Sequence, residues 1–253
     1  MHVDINCDMG ESYGTYRIGA DADVMPYITS ANIACGFHGG DPAVMRATVA
    51  AAVKANVAIG AHPALPDLVG FGRRAMQISP EEAYDMVVYQ VGALLGFVRA
   101  AGAELRHVKP HGALYNMAAA QPPLANAIAR ALRDIDTRLV LYGLAGSHLL
   151  TAAGDAGIPA ASEVFADRNY MKDGTLVPRH RPDAMVHDVN EAVARAVRMV
   201  REGAVADVDG NDISIRADTI CVHGDGPNAA AMARALREGL ERAGVRASSF
   251  APR

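Results

Sequence analysis

Short β-type runs recur along the chain, each closing on a polar or glycine-rich knot and most followed by a helical pattern. V-D-I-N-C-D from Val3, I-T-S-A-N-I-A-C from Ile28, V-A-I-G-A-H from Val57 and L-R-H-V-K-P from Leu105 are the first four. R-L-V-L-Y-G from Arg138, I-P-A-A-S-E-V-F from Ile158 and T-I-C-V-H-G from Thr219 bring the number to seven. Runs of this length and composition predict strands. Helices fit between them. Asp41 followed by Pro42 supplies an N-cap and a first-turn proline, and S-P-E-E-A-Y from Ser79 repeats that signal for a helix reaching about Ala101, closed by Gly102. From His187 to Glu202, apolar residues at Val189, Ala192, Val193, Ala196, Val197 and Val200 form a core-facing stripe. A last helix is expected from Pro227 to about Ala243, before Gly244.

One segment departs from the alternation. Ala204 to Arg216 predicts a hairpin turning at Asp209-Gly210-Asn211. Strand–helix alternation along one chain, without repeats or a linker, implies one α/β domain over 1–253 with a mostly parallel sheet and helices outside. Seven such units suggest a β/α barrel, in which chemistry gathers where the C-terminal ends of the strands meet the loops.

Polar residues track those strand ends. Six of the seven runs finish in potential chemistry: Asp8 and Glu11; Asn32 and His38; His62; Lys109 and His111; Glu163, Asp167 and Arg168; and His223 with Asp225. Scattered surface residues would not follow strand termini in this way, so a shared pocket is expected. In V-K-P-H-G-A-L-Y-N, Lys109 and His111 are two residues apart and point to one side of an extended chain, and Pro110 marks a strand terminus. A lysine buried beside a histidine would lower its proton affinity and keep the imidazole neutral. His107, on the same side but deeper, suits packing. In A-C-G-F-H-G-G-D-P, the glycines allow close backbone approach, Asp41 suits a helix cap, and His38 suits a site. In G-A-H-P-A-L-P-D-L-V-G-F-G-R-R, His62 ends a strand, and Arg73 and Arg74 would suit a carboxylate or phosphate if they point inward. Glu163 is expected inside the barrel, whereas Asp167 and Arg168 have a mutual salt bridge as their alternative.

Other signals narrow the function. Phosphate-loop, nucleophile-elbow and zinc-helix motifs are absent, and D-V-D-G-N-D from Asp207 lacks the glycine of a calcium loop. Among 253 residues, 51% are hydrophobic, which supports a sizeable core. A net charge of −4 without a basic run gives no electrostatic support for nucleic-acid or membrane-surface binding. The opening M-H-V-D is charged too early for a secretory signal, and no apolar run approaches a membrane span. Cys7, Cys35 and Cys221 are scattered, with no C-x-x-C pair, as suits a reduced cytoplasm.

As a set, V-D-I-N-C-D-M-G-E-S, A-N-I-A-C-G-F-H-G-G-D-P, G-A-H-P-A-L-P-D-L-V-G-F-G-R-R, V-K-P-H-G-A-L-Y-N, E-V-F-A-D-R-N-Y and I-C-V-H-G-D-G-P resemble the LamB/YcsF family. Those proteins are A subunits of the prokaryotic ATP-dependent 5-oxoprolinase. The resemblance implies a seven-stranded, distorted β/α (TIM-like) barrel of the glycoside hydrolase/deacetylase type. It also implies ATP-driven cleavage of 5-oxo-L-proline to L-glutamate, with separate B and C subunits. Two motifs depart from the family pattern: F-H-G-G-D stands where F-H-A-G-D is expected, and H-P-A-L-P-D where H-P-G-Y-P-D is common. The second change bears on the pocket wall at Ala64 and Leu65.

On this reading Asp8 is the expected general base or metal ligand for water, with His111 as its acid–base partner. His38 and His62 orient substrate or metal, and Lys109 and Arg73 meet the substrate carboxylate or a phosphate. Glu11, Asn32, Glu163, Asp167, Arg168 and His223 complete the expected binding wall, and Asp8, His38 and His111 are the candidate ligands of a divalent metal. ATP, with Mg2+, is expected to be used together with the partner subunits because this chain lacks a nucleotide motif. The alternative is a stand-alone metal-dependent deacetylase or hydrolase of a small amide or amino sugar.

Overall fold

A computed structural model describes residues 1–222 and 229–251. Its strands are β1 (His2–Met9), β2 (Ser30–Ala34), β3 (Ala58–His62), β4 (Leu105–Val108), β5 (Val140–Leu144), β6 (Ala160–Phe165), β7 (Ala204–Ala206), β8 (Asp212–Ser214), β9 (Thr219–Val222) and β10 (Arg246–Ala247). The α-helices are α1 (Asp21–Val24), α2 (Pro42–Ala55), α3 (Pro80–Ala100), α4 (Gly112–Ala120), α5 (Pro122–Ile135), α6 (His148–Ala156), α7 (Val189–Glu202) and α8 (Ala229–Arg242). β1 through β6 pair in chain order, all parallel, and β9 pairs with both β6 and β1. That double pairing closes a seven-stranded parallel barrel inside a ring of helices, a TIM-like fold. All seven barrel strands coincide with the seven predicted runs. β10 joins the outer start of β1, pairing Val3 with Ala247.

The local signals act as their chemistry requires. The Asp41 side chain accepts from the Ala43 and Val44 amides, and Ser79 with Glu82 forms a full capping box. β7 and β8 pair antiparallel through Val205 and Ile213, and Asp207 accepts from the Asp209 and Asn211 amides of the turn. Sequence patterning named no helix between β4 and β6, where the structure has α4, α5 and α6. The start expected at Pro227 lies outside the described residues; α8 is described from Ala229. Among the described residues, no helix is long and apolar enough to cross a membrane.

The apolar core lies between barrel and helices, and the barrel interior is polar. Along β1, Val3, Ile5, Cys7 and Met9 join the apolar core, while Asp4, Asn6 and Asp8 take the alternate direction. Asp4 accepts from the hydroxyls of Thr29, Ser30, Tyr142 and Thr219, which closes the floor of the barrel. One layer up, the His107 imidazole stacks on Tyr142 at 4.2 Å between ring centres and donates from Nε2 to Asn32 Oδ1. Burial, then the charges of Lys109 and His62, lowers the His107 imidazole to about 3, so it stays neutral. Gly60, directly opposite on β3, leaves the space this ring occupies, because an added Cβ would collide with His107 Nε2. Gly60→Ala is therefore expected to overpack the barrel by ~1–3 kcal/mol. A thermal melt should show a clear fall in Tm, and an unchanged Tm would mean the ring has room to move.

Candidate active site

The period-two alternation of β1 stacks Asn6 directly beneath Asp8. Asn6 donates to Glu163 Oε1 and Thr219 Oγ1, and its carbonyl oxygen accepts from Asn32 and Lys109. Asn32 also donates to Asp8 Oδ1 at 2.8 Å, so its neighbours fix both faces of its amide. Lys109, just beyond the end of β4, reaches into this network with its ammonium 3.0 Å from Asp8 Oδ1 and 2.9 Å from Glu163 Oε1. Tyr115, four residues after His111 on α4, donates to the other Glu163 oxygen at 2.7 Å. Burial opposes the charge on Lys109, but Asp8, Cys221 and Glu163 outweigh it and hold the ammonium protonated well above its ordinary range. Burial likewise opposes ionised Asp8, yet His62, Lys109 and His111 hold its carboxyl well below the usual value.

Above this base lie three imidazoles and a carboxylate. Asp8 Oδ2 faces His62 Nε2 at 3.3 Å. His62 Nε2 faces His111 Nδ1 at 2.9 Å, and His111 Nδ1 is 3.6 Å from Glu11 Oε1. His38 stacks flat on His111 at 3.8 Å between ring centres, and its Nε2 donates to Glu11 Oε1 at 3.0 Å. Backbone carbonyls set two of the tautomers. His62 Nδ1 is 2.7 Å from Lys109 O and His111 Nε2 is 2.9 Å from Phe71 O. A carbonyl only accepts, so those nitrogens carry the hydrogens, and in the neutral rings His62 Nε2 and His111 Nδ1 are lone pairs. Burial pushes the His111 imidazole well below its ordinary value, helped by His38 and His62; burial and His62 do the same to His38.

The loop that supplies Phe71 O is built for that contact. Asp67 accepts from Gly70 N and from the Arg74 guanidinium, whose hydrogen bond lowers the Asp67 carboxyl to about 2. Phe71 takes a left-handed conformation (φ 55°), uncommon for a residue with a side chain, and Gly72 follows at φ 64°. An added Cβ at Gly72 would press on His111 and His38, each at 2.9 Å, so glycine is required there on two grounds.

A cavity of about 730 Å³ opens over this cluster, lined by Asp8, His62, Lys109 and His111 on its floor. Arg73, Arg168 and Arg179 give its walls a cationic character, and His148 and His180 also line it. Residues 173–180 form one side. That segment is tied to the barrel by Arg168, which donates to Val177 O at 2.6 Å and to Ala184 O.

Most residues singled out from sequence thus meet at one place: Asp8, Glu11, His38, His62, Lys109 and His111 in direct contact, with Asn32 and Glu163 beneath. Several partners differ from those expected. The Lys109 ammonium has three hydrogens, and Asp8, Asn6, Glu163 and Cys221 surround it inside the barrel. Its hydrogens are therefore engaged with protein groups at the floor of the cavity. The low proton affinity of His111 comes from burial and its fellow histidines, not from Lys109. Arg168 bonds loop carbonyls as well as lining the cavity. Burial and the Arg179 charge lower its guanidinium to about 10, and the adjacent Asp167 charge works against that shift. Arg73 lines the cavity with its guanidinium over the Phe71 ring, whereas Arg74 turns away to Asp67. His223 lies outside the described residues. Asn6, Tyr115 and Phe71 were not anticipated. The first was legible by its register with Asp8, the second by its helical spacing from His111, and the third acts through a carbonyl that no side-chain pattern marks. Of the expected metal trio, His38 and His111 fall in a group with Glu11 and His62 whose potential ligand atoms lie within 4.8 Å of one another.

The LamB/YcsF family model matches residues 3–253. The chain belongs to the LamB/YcsF family. Its relatives include proteins named as the A subunit of 5-oxoprolinase. The one from Tolumonas auensis is 62% identical over 96% of this chain and 97% of its own, and the one from Bordetella pertussis is 61% identical over 96% of both. Among solved structures, a lactam utilization protein from Thermus thermophilus is 49% identical, covers 99% of this chain and 100% of its own, and superposes with a TM-score of 0.94. Family membership thus accompanies a nearly complete match in fold. The layered polar interior described above is this family member's own route to a site on a closed barrel.

Proposed function

We propose that this chain is the A subunit of an ATP-dependent 5-oxoprolinase and that its barrel mouth opens 5-oxo-L-proline to L-glutamate, working with B and C subunits. The observation that carries this reading is the 61–62% identity, over nearly the whole of both chains, with proteins bearing that name. The site chemistry supports it. A five-membered lactam resists hydrolysis because amide resonance must be lost without relief of ring strain. ATP, used with Mg2+ and the partner subunits, would phosphorylate the lactam oxygen. Water then adds to the carbon bearing that oxygen, and the ring C–N bond breaks with the nitrogen taking a proton. Hydrolysis of the resulting acyl phosphate yields glutamate and inorganic phosphate.

The residues of this chain then have separate tasks. Asp8, held ionised by Lys109 and Asn32, is too weak a base to keep a proton and serves to orient the water through Oδ2. His111, neutral and with Nδ1 as its lone pair, takes the proton and returns it to the departing ring nitrogen. Lys109 and Glu163 position Asp8 from below, and His62 and His38 align His111 and Glu11. Arg73 and Arg168 on the wall suit the substrate carboxylate and the transferred phosphoryl group. The free, buried Cys7, Cys35 and Cys221 fit work in a reducing cytoplasm.

Glutamate formation from 5-oxoproline tests the reading, with this chain alone and with the assembly recovered with its partners, each with and without ATP. Glutamate is expected only from the assembly with ATP. An intact assembly that makes none would overturn it and redirect attention to the stand-alone amide hydrolase.

A further inference from the structure

We infer that His62 Nε2, His111 Nδ1, Glu11 and Asp8 form a binding site for one divalent transition-metal cation of the zinc class. The carbonyls of Lys109 and Phe71 claim one hydrogen of each ring, so His62 Nε2 and His111 Nδ1, which face each other at 2.9 Å, are the nitrogens left to bind a cation. Asp8 Oδ2 stands 3.3 Å from the first and Glu11 Oε1 3.6 Å from the second. Glu11, His62 and His111, together with His38, offer buried ligand atoms within 4.8 Å of one another, with Asp8 beside His62, and such an arrangement is stable only around positive charge. The nearest fixed cation, Lys109, approaches the opposite oxygen of Asp8 and is shared with Glu163.

The dimensions suit an ion. A metal ~2.1 Å from each of two imidazole nitrogens sets them ~3.0–3.4 Å apart, within a few tenths of an ångström of the separation found here. Two imidazoles with carboxylates are the donor set that zinc and its first-row neighbours favour over magnesium or calcium. Ligating histidines commonly donate their second ring hydrogen to a carbonyl, which is what Lys109 O and Phe71 O provide, and the His38 hydrogen bond orients Glu11 in the same way. Asp8, His62 and His111 also line the cavity, so an ion here would present an open position to the substrate. For the proposed reaction it would acidify the attacking water next to Asp8 and, by occupying the His111 Nδ1 lone pair, would replace the proton transfer that His111 performs in the metal-free protein. That role rests on the oxoprolinase reading, but binding of the ion does not.

Binding is measured on the isolated full-length chain, without ATP or partners, so its outcome is separate from the glutamate assay. Protein stripped with a chelator is equilibrated with Co2+ and then Zn2+, and bound metal is determined by elemental analysis and by the visible absorption of Co2+. One ion per chain is expected, and His62→Gln and His111→Gln should each weaken binding by at least ~100-fold, beyond the usual effect of losing only an outer partner. X-ray absorption of the zinc-loaded wild-type protein, which needs no variant to fold, should show imidazole and oxygen ligands together. Less than stoichiometric metal, an all-oxygen shell, or unaltered binding in two folded variants overturns the site and leaves a proton shared between His62 and His111 as the neutralising charge. Stoichiometric metal with no glutamate from the assembly would keep the site and discard the oxoprolinase reading.

Discussion

His111→Gln is expected to lower ATP-dependent glutamate formation by the reconstituted assembly ~10²–10⁴-fold, the usual worth of a positioned acid–base group. Glutamine preserves approximate size and can still donate to Phe71 O, but it cannot take up and release a proton at neutral pH. The loss should fall on kcat, because no substrate-binding cation is removed. Circular dichroism should show the fold intact, since the ring sits above the network that joins β1, β2, β4 and β6 rather than within it. His111→Ala should lose as much activity and in addition leave His38 without its stacked neighbour. A near-normal rate in the glutamine variant would remove His111 from the chemistry and shift the proton to His62.

The second large effect concerns stability. Lys109→Met fills the same volume but strands Asp8 and Glu163, two buried carboxylates that share its charge at 3.0 and 2.9 Å. Removing one member of a buried ion pair costs ~3–5 kcal/mol, because the remaining charge keeps its desolvation penalty without compensation. At about 2–4 °C per kcal/mol for a chain of this size, the melting temperature should fall by roughly 6–20 °C. Adding Glu163→Gln to Lys109→Met should recover part of the loss, since it removes one of the stranded charges; a double-mutant cycle measures that coupling. If Lys109→Met melts with the wild type, the ammonium is not what holds the two carboxylates together, and the account of the barrel interior fails.

Much of this architecture is legible in the order of residues. The barrel strands announce themselves because an inward polar residue alternates with an outward apolar one, as in D-I-N-C-D. That same alternation, carried to the strand ends, picks out Asp8, His62 and Lys109. Glu11 and His38 were marked by their glycine-rich settings after strands. Legibility stops where function depends on partners. Nothing in G-F-G-R-R indicates that the Phe71 carbonyl chooses the tautomer of a histidine 40 positions later. Nothing near Gly60 reveals that its missing side chain is the space for His107. The pairing of Lys109 downward with Glu163 was likewise hidden, because the two meet only once β9 pairs with both β6 and β1 to close the barrel.

Local order of residues is enough for the succession of barrel strands, the family, the apolar and polar faces of the strands, and the end of the barrel at which the chemistry gathers. These follow from periodicity and from motif residues, which are properties of neighbouring positions. The folded chain was needed to learn which nitrogen of His62 and of His111 faces a backbone carbonyl, which carboxylates Lys109 neutralises, and that Glu11, His38, His62 and His111 bring their ligand atoms within 4.8 Å of one another. Those outcomes depend on distances between residues far apart in the chain, and hydrogen bonding and Coulomb interactions take their strength from such distances and from burial.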